Sequence, residues 1–343
     1  MKKSLVKIRV ENAAGSILAH DITRIIPGEF KGVGFKKGHV VKKQDIPELL
    51  KIGKQRIYVL NLSEDQLHED DAALRIAPAI CGDNLTWTEP SEGKSTIVSQ
   101  QAGLLKVNVR GLTRINKLGN IIVSTLKTNF PCQKGQKVAA TRIIPLLIAK
   151  KKIAKLESLA QQYHPILQLK RYRKLRVGGV VTGSEISQGL IKDEFDHFVA
   201  RKVKNYGCEL VKKIIVPDIP QAIASAVVDL KEIGCELILT TGGLSVDPDD
   251  VTRKGIKQTG AKIVAYGSPV LPGAMFLYAL LDKTTILGLP ACVFYHPTTI
   301  YDLILPRVLV GEQVTKNEIA EMGHGGLCMD CEKCRFPNCS FGK

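Results

Sequence analysis

The sequence predicts an α/β protein: a doubly wound, mostly parallel three-layer sheet, preceded by a smaller α+β, strand-rich domain. Two observations carry that prediction. From Leu175 onward, strand-like and helix-like segments alternate, and the strands are apolar enough to be covered on both faces. Before residue 149 the chain instead shows short β-prone runs punctuated by turn signals. A chain of 343 residues has room for two such domains.

Residues 1–148 contain the runs 56–60 and 120–124, with turns at Pro27-Gly28, Lys37-Gly38 and Lys134-Gly135. One helix is expected from Asp45 to Gly53, with Gln44 or Asp45 capping its start. Residues 149–175 are rich in lysine and arginine, and Ile153, Leu156 and Leu159 fall at helical spacing, which reads as a basic helical connector. Within residues 176–311 the expected order begins with strand 175–181, helix about 190–205, strand 209–216 and helix 220–233. It continues with strand 236–240, helix about 248–258, short strands 262–265 and 285–287, and a last helix about 298–310. Gly207, Gly234 and Gly260 end three of these helices. Residues 312–343 form a cysteine-rich tail.

No apolar run approaches the roughly 20 residues that span a bilayer, so no membrane partner is expected. Lys7, Arg9 and Glu11 interrupt any signal-peptide core, which makes a cytoplasmic location the expectation. The net charge of +16 is uneven: residues 1–175 hold 31 Lys and Arg against 14 Asp and Glu. Such an excess attracts polyanions, but a solvated basic face accounts for most of these lysines. Nucleic acid as a partner rests on charge alone and would show itself by steep salt dependence.

The chemistry is expected at strand ends, because ligands in doubly wound sheets bind outside the carboxyl ends of the strands. Strand 236–240 runs into Thr240-Thr241-Gly242-Gly243-Leu244-Ser245-Val246-Asp247-Pro248. Adjacent glycines let backbone N–H groups approach a ligand closely. Hydroxyls at Thr240, Thr241 and Ser245 add donors, and Asp247-Pro248 suits a helix start. Such a loop favours a phosphate-bearing ligand. Asp247, Asp249 and Asp250 either complement the helix dipole or hold a ligand hydroxyl, amine or metal cation.

The same loop resembles the glycine-rich loop of molybdenum insertases and molybdopterin adenylyltransferases. It matches the TTGG-x-S opening of the insertase motif but has Asp247 where a glycine is expected, and Asp250-Val251-Thr252 resembles the adenylyltransferase continuation. Val181-Thr182-Gly183-Ser184-Glu185-Ile186 resembles the insertase T-G-D-E-L, with Ser184 replacing the aspartate. Gly288-Leu289-Pro290-Ala291 stands where insertases have L-P-G-N-P, and Ser268-Pro269 and Pro272-Gly273 resemble pocket-rim turns. More loosely, residues 11–22, Phe35-Lys36-Lys37-Gly38-His39 and Asp45-Ile46-Pro47-Glu48-Leu49 resemble the insertase opening, which implies a homodimer contact.

The resemblance implies an enzyme of cofactor assembly that binds molybdopterin or its adenylate and inserts molybdate or tungstate. Thr182, Gly183, Thr240, Thr241, Gly242, Gly243, Ser245, Asp247, Thr252 and Pro290 would hold the cofactor. Glu185 and Asp250 would act on the metal or phosphoryl group, with Mg²⁺ if an adenylate is cleaved. The replaced Ser184, Asp247 and Ala291 keep a second reading open: a non-catalytic carrier that hands finished cofactor to a client molybdenum or tungsten enzyme.

Five cysteines (Cys81, Cys132, Cys208, Cys235 and Cys292) are scattered singly and read as small core residues. The tail groups Cys328, Cys331, Cys334 and Cys339 at spacing C-x2-C-x2-C-x4-C. Clustered cysteines outside an oxidising compartment favour metal over disulfides. Three thiolates at two-residue gaps plus a fourth suit an iron–sulfur cluster, and Zn²⁺ is the alternative. The tail has no core of its own, and His324 reads as a surface or turn histidine ahead of a further ligand.

Overall fold

A computed structural model describes residues 5–26, 29–60, 65–144, 146–245 and 251–342. The chain divides into two compact units, the first mostly before Leu169 and the second from Lys170 to the end.

The first unit is α+β, as expected. A four-stranded antiparallel sheet runs in the order Leu85–Trp87, Lys94–Ser99, Lys137–Ile143, Ile121–Thr125. The expected strand Arg56–Leu60 pairs antiparallel with Leu5–Arg9, and the expected helix spans Asp45–Lys51. Two further helices, Glu69–Ile80 and Val109–Asn116, escaped the sequence reading, while Lys150–Gln162 falls in the basic segment read as helical. That segment is packed rather than solvated on every side: Ile153, Leu156 and Ala160 are buried, and Glu157 pairs with Arg75 of helix Glu69–Ile80. Helix Glu69–Ile80 shows Ala72, Ala73, Ile76, Ala77 and Ile80 buried at 3–4 spacing, a pattern legible in advance.

The second unit is doubly wound. Its elements are β1 (Arg176–Thr182), α1 (Ser184–Ser187), α2 (Arg201–Asn205), β2 (Glu209–Val216), α3 (Pro220–Glu232) and β3 (Leu237–Thr241). There follow α4 (Thr252–Gln258), β4 (Lys262–Tyr266), β5 (Leu277–Leu281), β6 (Thr284–Leu289), α5 (Ile300–Leu309) and α6 (Lys316–Glu321). The strand order is β2-β1-β3-β6-β5-β4. Strands β2, β1, β3 and β6 are parallel, while β5 runs antiparallel to both neighbours. Alternation along each strand feeds two cores. Leu237, Leu239 and Leu287 face the core completed by Val199, Val203, Ile304 and Leu305. Ile238 and Ile286 face the core completed by Ile223, Val227, Leu230 and Ile256.

Two expectations are corrected. Helix 190–205 is shortened: residues 191–194 are irregular, and a π turn Asp196–Ala200 leads into α2. Asp193 explains the late start, since its carboxylate accepts the Phe195 N–H at 2.9 Å and pairs with Lys213 of β2 at 2.6 Å. Strand β5 was missed, because Leu277–Leu281 is nearly all apolar and its hairpin turn is formed by Asp282 at φ +53 rather than by glycine.

The tail borrows the core that it lacks. Val314, Ile319 and Phe341 are buried against the face that carries α5. Arg307, buried on α5, pairs with Glu312 at 3.1 Å and with Glu318 on α6. Burial opposes ionisation of Glu318, but the Thr315 N–H, the Arg307 guanidinium and the Thr315 hydroxyl outweigh it and bring its carboxyl from 4.5 down to about 2. A depressed carboxylate pKa contributes stability above its unfolded value, and that stability is lost as pH falls through the folded one. Acid unfolding followed between pH 4.5 and 2 should therefore include a Glu318 component. Glu318→Gln should lower the denaturant midpoint at pH 7 and flatten the acid profile; an unchanged profile would contradict the assignment.

Candidate functional site

Three parallel strands end side by side. Val180 and Val181 of β1 are in register with Thr240 and Thr241 of β3, which are in register with Gly288 and Leu289 of β6. Thr182-Gly183, Gly242-Gly243 and Pro290 therefore leave the sheet at one edge. The chain steps outward from β1 to β2 and then crosses to β3 on the other side, so the β1/β3 boundary is the topological switch point.

The glycine turn lies against the end of β1. Gly242 has φ +89 and Gly243 φ +56, and both face neighbours that exclude a side chain. A Cβ on Gly242 would stand 2.2 Å from the Thr182 carbonyl oxygen, and one on Gly243 would stand 2.6 Å from the Thr252 hydroxyl. Buried Thr252 at the start of α4 locks the turn. Its hydroxyl donates to the Gly242 carbonyl at 3.0 Å and its N–H to the Gly243 carbonyl at 3.1 Å. The buried Thr182 hydroxyl completes the set, donating to that of Thr252 at 3.1 Å.

Tyr266 of β4 holds the far side of the loop. Its hydroxyl donates to the Leu244 carbonyl at 2.9 Å, with the Ser245 carbonyl at 3.3 Å. The Arg253 guanidinium lies over the Tyr266 ring, 4.6 Å from its centre. Arg253, Tyr266, Pro269 and Lys316 border a cavity of about 520 Å³. With the loop carbonyls so engaged, the N–H groups of Gly243, Leu244 and Ser245 donate to no partner among the described residues. Consecutive free N–H groups make an anion-binding concavity. On the strand that leads into the turn, the Thr240 and Thr241 hydroxyls are buried without a partner among the described residues.

At the neighbouring strand end, Gly183 (φ +148) donates to the Val216 carbonyl at 3.2 Å. Asp218, just beyond β2, accepts the Ser184 N–H at 2.8 Å and its hydroxyl at 3.2 Å. Glu185 is exposed on α1, and Pro290 is buried ahead of the turn Ala291–Phe294. The structure thus brings Thr182, Gly183, Thr240, Thr241, Gly242, Gly243, Thr252 and Pro290 to one edge, with Glu185 beside it and Ser245 exposed on the loop. Asp247 and Asp250 lie outside the described residues, as do Pro248 and Asp249. Sequence reasoning missed Asp218, Arg253 and Tyr266. Pro217-Asp218 after an apolar strand was a usable signal for the first; the other two depend on contacts between distant segments.

The tail cysteines gather elsewhere in this unit. Cys328, Cys331, Cys334 and Cys339 all line one cavity of about 250 Å³, which His296 and Thr298 also line. His324 is exposed and does not line it. No three His, Cys, Asp or Glu side chains among the described residues stand close enough to hold one metal ion. Of the single cysteines, Cys132, Cys208 and Cys235 are buried in the core and Cys81 and Cys292 are half-buried; burial pushes the Cys81 and Cys132 thiols up to about 12 and raises those of Cys208, Cys235 and Cys292.

Two substitutions test the turn. Gly242→Ala forces a Cβ onto backbone and should cost more than about 2 kcal/mol in urea unfolding. Thr252→Val removes the donor to Gly242 and should cost about 1–2 kcal/mol. Neutral outcomes for both would show that the turn is not held as described.

The chain is similar to known proteins mainly over its α/β domain. Residues 178–309 match the family described as "Probable molybdopterin binding domain", and residues 7–61 match one described as a domain of unknown function. A molybdopterin molybdenumtransferase of Haemophilus influenzae is 26% identical over 150 residues, covering 42% of this chain and 37% of that protein. A CinA-like protein of Mycobacterium leprae is 36% identical over 77 residues, 22% of this chain and 18% of that one. Among solved structures, a molybdopterin biosynthesis moea protein from Pyrococcus horikosii aligns over 90% of this chain and 75% of its own, at 12% identity and TM-score 0.34. The chain spans little more than a third of the molybdenumtransferase that it matches. The α/β domain is thus similar, over residues 178–309, to the family described as a probable molybdopterin binding domain.

Proposed function

We propose that the switch-point loop binds the phosphate of molybdopterin, or of its adenylate, and that the chain acts in metal insertion during molybdenum- or tungsten-cofactor assembly. One observation carries this reading: three consecutive N–H groups, Gly243 to Ser245, lie at the switch point without partners among the described residues, while the carbonyls around them are engaged. The unpartnered hydroxyls of Thr240 and Thr241 support it. A buried hydroxyl without a partner costs about 1–3 kcal/mol, a cost that valine of the same shape would avoid.

In this reading the loop fixes the phosphate by positioning and by donors set in place beforehand. Glu185, on the neighbouring strand end, acts on the incoming oxyanion or the phosphoryl group, with Asp250 in the same role. Cleavage of an adenylate would call for Mg²⁺. No ready cage for that ion exists among the described residues.

A carrier reading has its own support. Where insertases place an aspartate, the hydroxyl and N–H of Ser184 are both turned to Asp218, which leaves that position without a free carboxylate. A carrier would bind finished cofactor and deliver it to a client enzyme.

Turnover separates the two. Purified protein with adenylylated molybdopterin should consume it only when molybdate is present, and Glu185→Gln should slow that consumption at least about 10²-fold. Tight binding without turnover would leave the carrier. Absence of molybdopterin binding would overturn both.

A further inference from the structure

We infer that the C-terminal segment and the α/β domain together build a site for a cuboidal iron–sulfur cluster, ligated by the thiolates of Cys328, Cys331, Cys334 and Cys339. The inference goes beyond the loop's function and does not depend on it.

Both ends of the cysteine segment are fixed. At its entry, Leu271 donates its N–H to the Gly326 carbonyl at 2.8 Å, and Cys328 returns its own N–H to the Leu271 carbonyl at 2.8 Å. At its exit, Phe341 is only 3% exposed and Gly342 donates to the Gly325 carbonyl at 2.9 Å. The chain between them is therefore a closed loop laid on the domain, and all four sulfur-bearing residues line the same cavity.

The size of that cavity discriminates among ligands. A tetrahedral zinc site, with Zn–S near 2.3 Å, draws its sulfurs to within about 3.8 Å of one another. The tail cysteines are not gathered that way, since no three potential ligands among the described residues stand close enough to hold one ion. They surround about 250 Å³, several times the roughly 30 Å³ share of a water molecule. All four are free thiols, so the arrangement is not a pair of disulfides. A four-iron core, which takes one thiolate at each iron, suits four sulfurs arranged around a space.

The surroundings suit such a cluster. Pro297, Phe336 and Phe341 supply apolar wall, and Phe336 meets Phe341 edge-on. Four thiolates around a core of charge 2+ leave a net negative charge, and Arg335 lines the cavity with the opposite sign. The Thr298 hydroxyl, on a residue 5% exposed, lies 3.2 Å from Cys334 Sγ. A hydrogen bond to a ligating sulfur is a known control on cluster potential. Thr298 is thus a positioning residue contributed by the domain rather than by the tail.

The full-length chain, purified anaerobically and reconstituted with ferrous iron and sulfide, should bind about four irons and four sulfides. It should show visible absorption that dithionite bleaches. Cys331→Ser with Cys334→Ser should abolish iron loading while far-UV circular dichroism stays native. Thr298→Val should keep the iron and shift the reduction potential, which a purely structural role would not do. One zinc per chain with no iron, retention of full iron by the double variant, or a natively folded chain that takes up no iron would each overturn the inference.

Discussion

The 2.2 Å between a hypothetical Cβ on Gly242 and the Thr182 carbonyl is the constraint on which the site depends. Two strand ends of a parallel sheet can meet this closely only if one contributes no side chain, and the positive φ of Gly242 turns the chain within that space. Thr252 can then reach both Gly242 and Gly243, and its anchoring sets where α4 begins. The loop carbonyls face protein donors, which leaves successive N–H groups facing the other way. The N–H groups that the proposal assigns to a phosphate are thus freed by a packing condition between backbones.

A second anchor organises the end of the chain. Arg307 is almost wholly buried, and its two carboxylate partners offset the cost of keeping that charge from water. Those partners belong to the segment after α5, so the same ion pairs hold α6 against the domain. Phe341 completes the attachment from the far end. A segment too short to fold alone is thereby ordered by a core built elsewhere, and its cysteines are carried to one cavity.

Much of this was legible in the sequence, for definite reasons. The strands β1 and β3 could be read because they are buried on both faces and therefore almost continuously apolar, and the edge strand β2 because Leu210, Val211 and Ile214 to Val216 keep it β-prone. The turn after Thr240-Thr241 could be read because two adjacent glycines follow an apolar strand, where the backbone can take positive φ. What escaped was whatever distant residues decide. Asp193 delays a helix because Lys213, on another element, holds it in place. Tyr266 holds the loop from β4, and Arg253 stacks on it, through contacts with no local signature. In the tail, spacing marked the four cysteines, but nothing in their neighbourhood pointed to Thr298 or His296. His324, adjacent in sequence, is turned to solvent.

The central claim is that the N–H groups of Gly243, Leu244 and Ser245 receive a phosphate. A crystal structure of the full chain with molybdopterin bound tests this most directly. The account predicts phosphate oxygens within hydrogen-bond reach of those three groups at the β1/β3 switch point. A phosphate seated elsewhere, with the loop untouched, would contradict it.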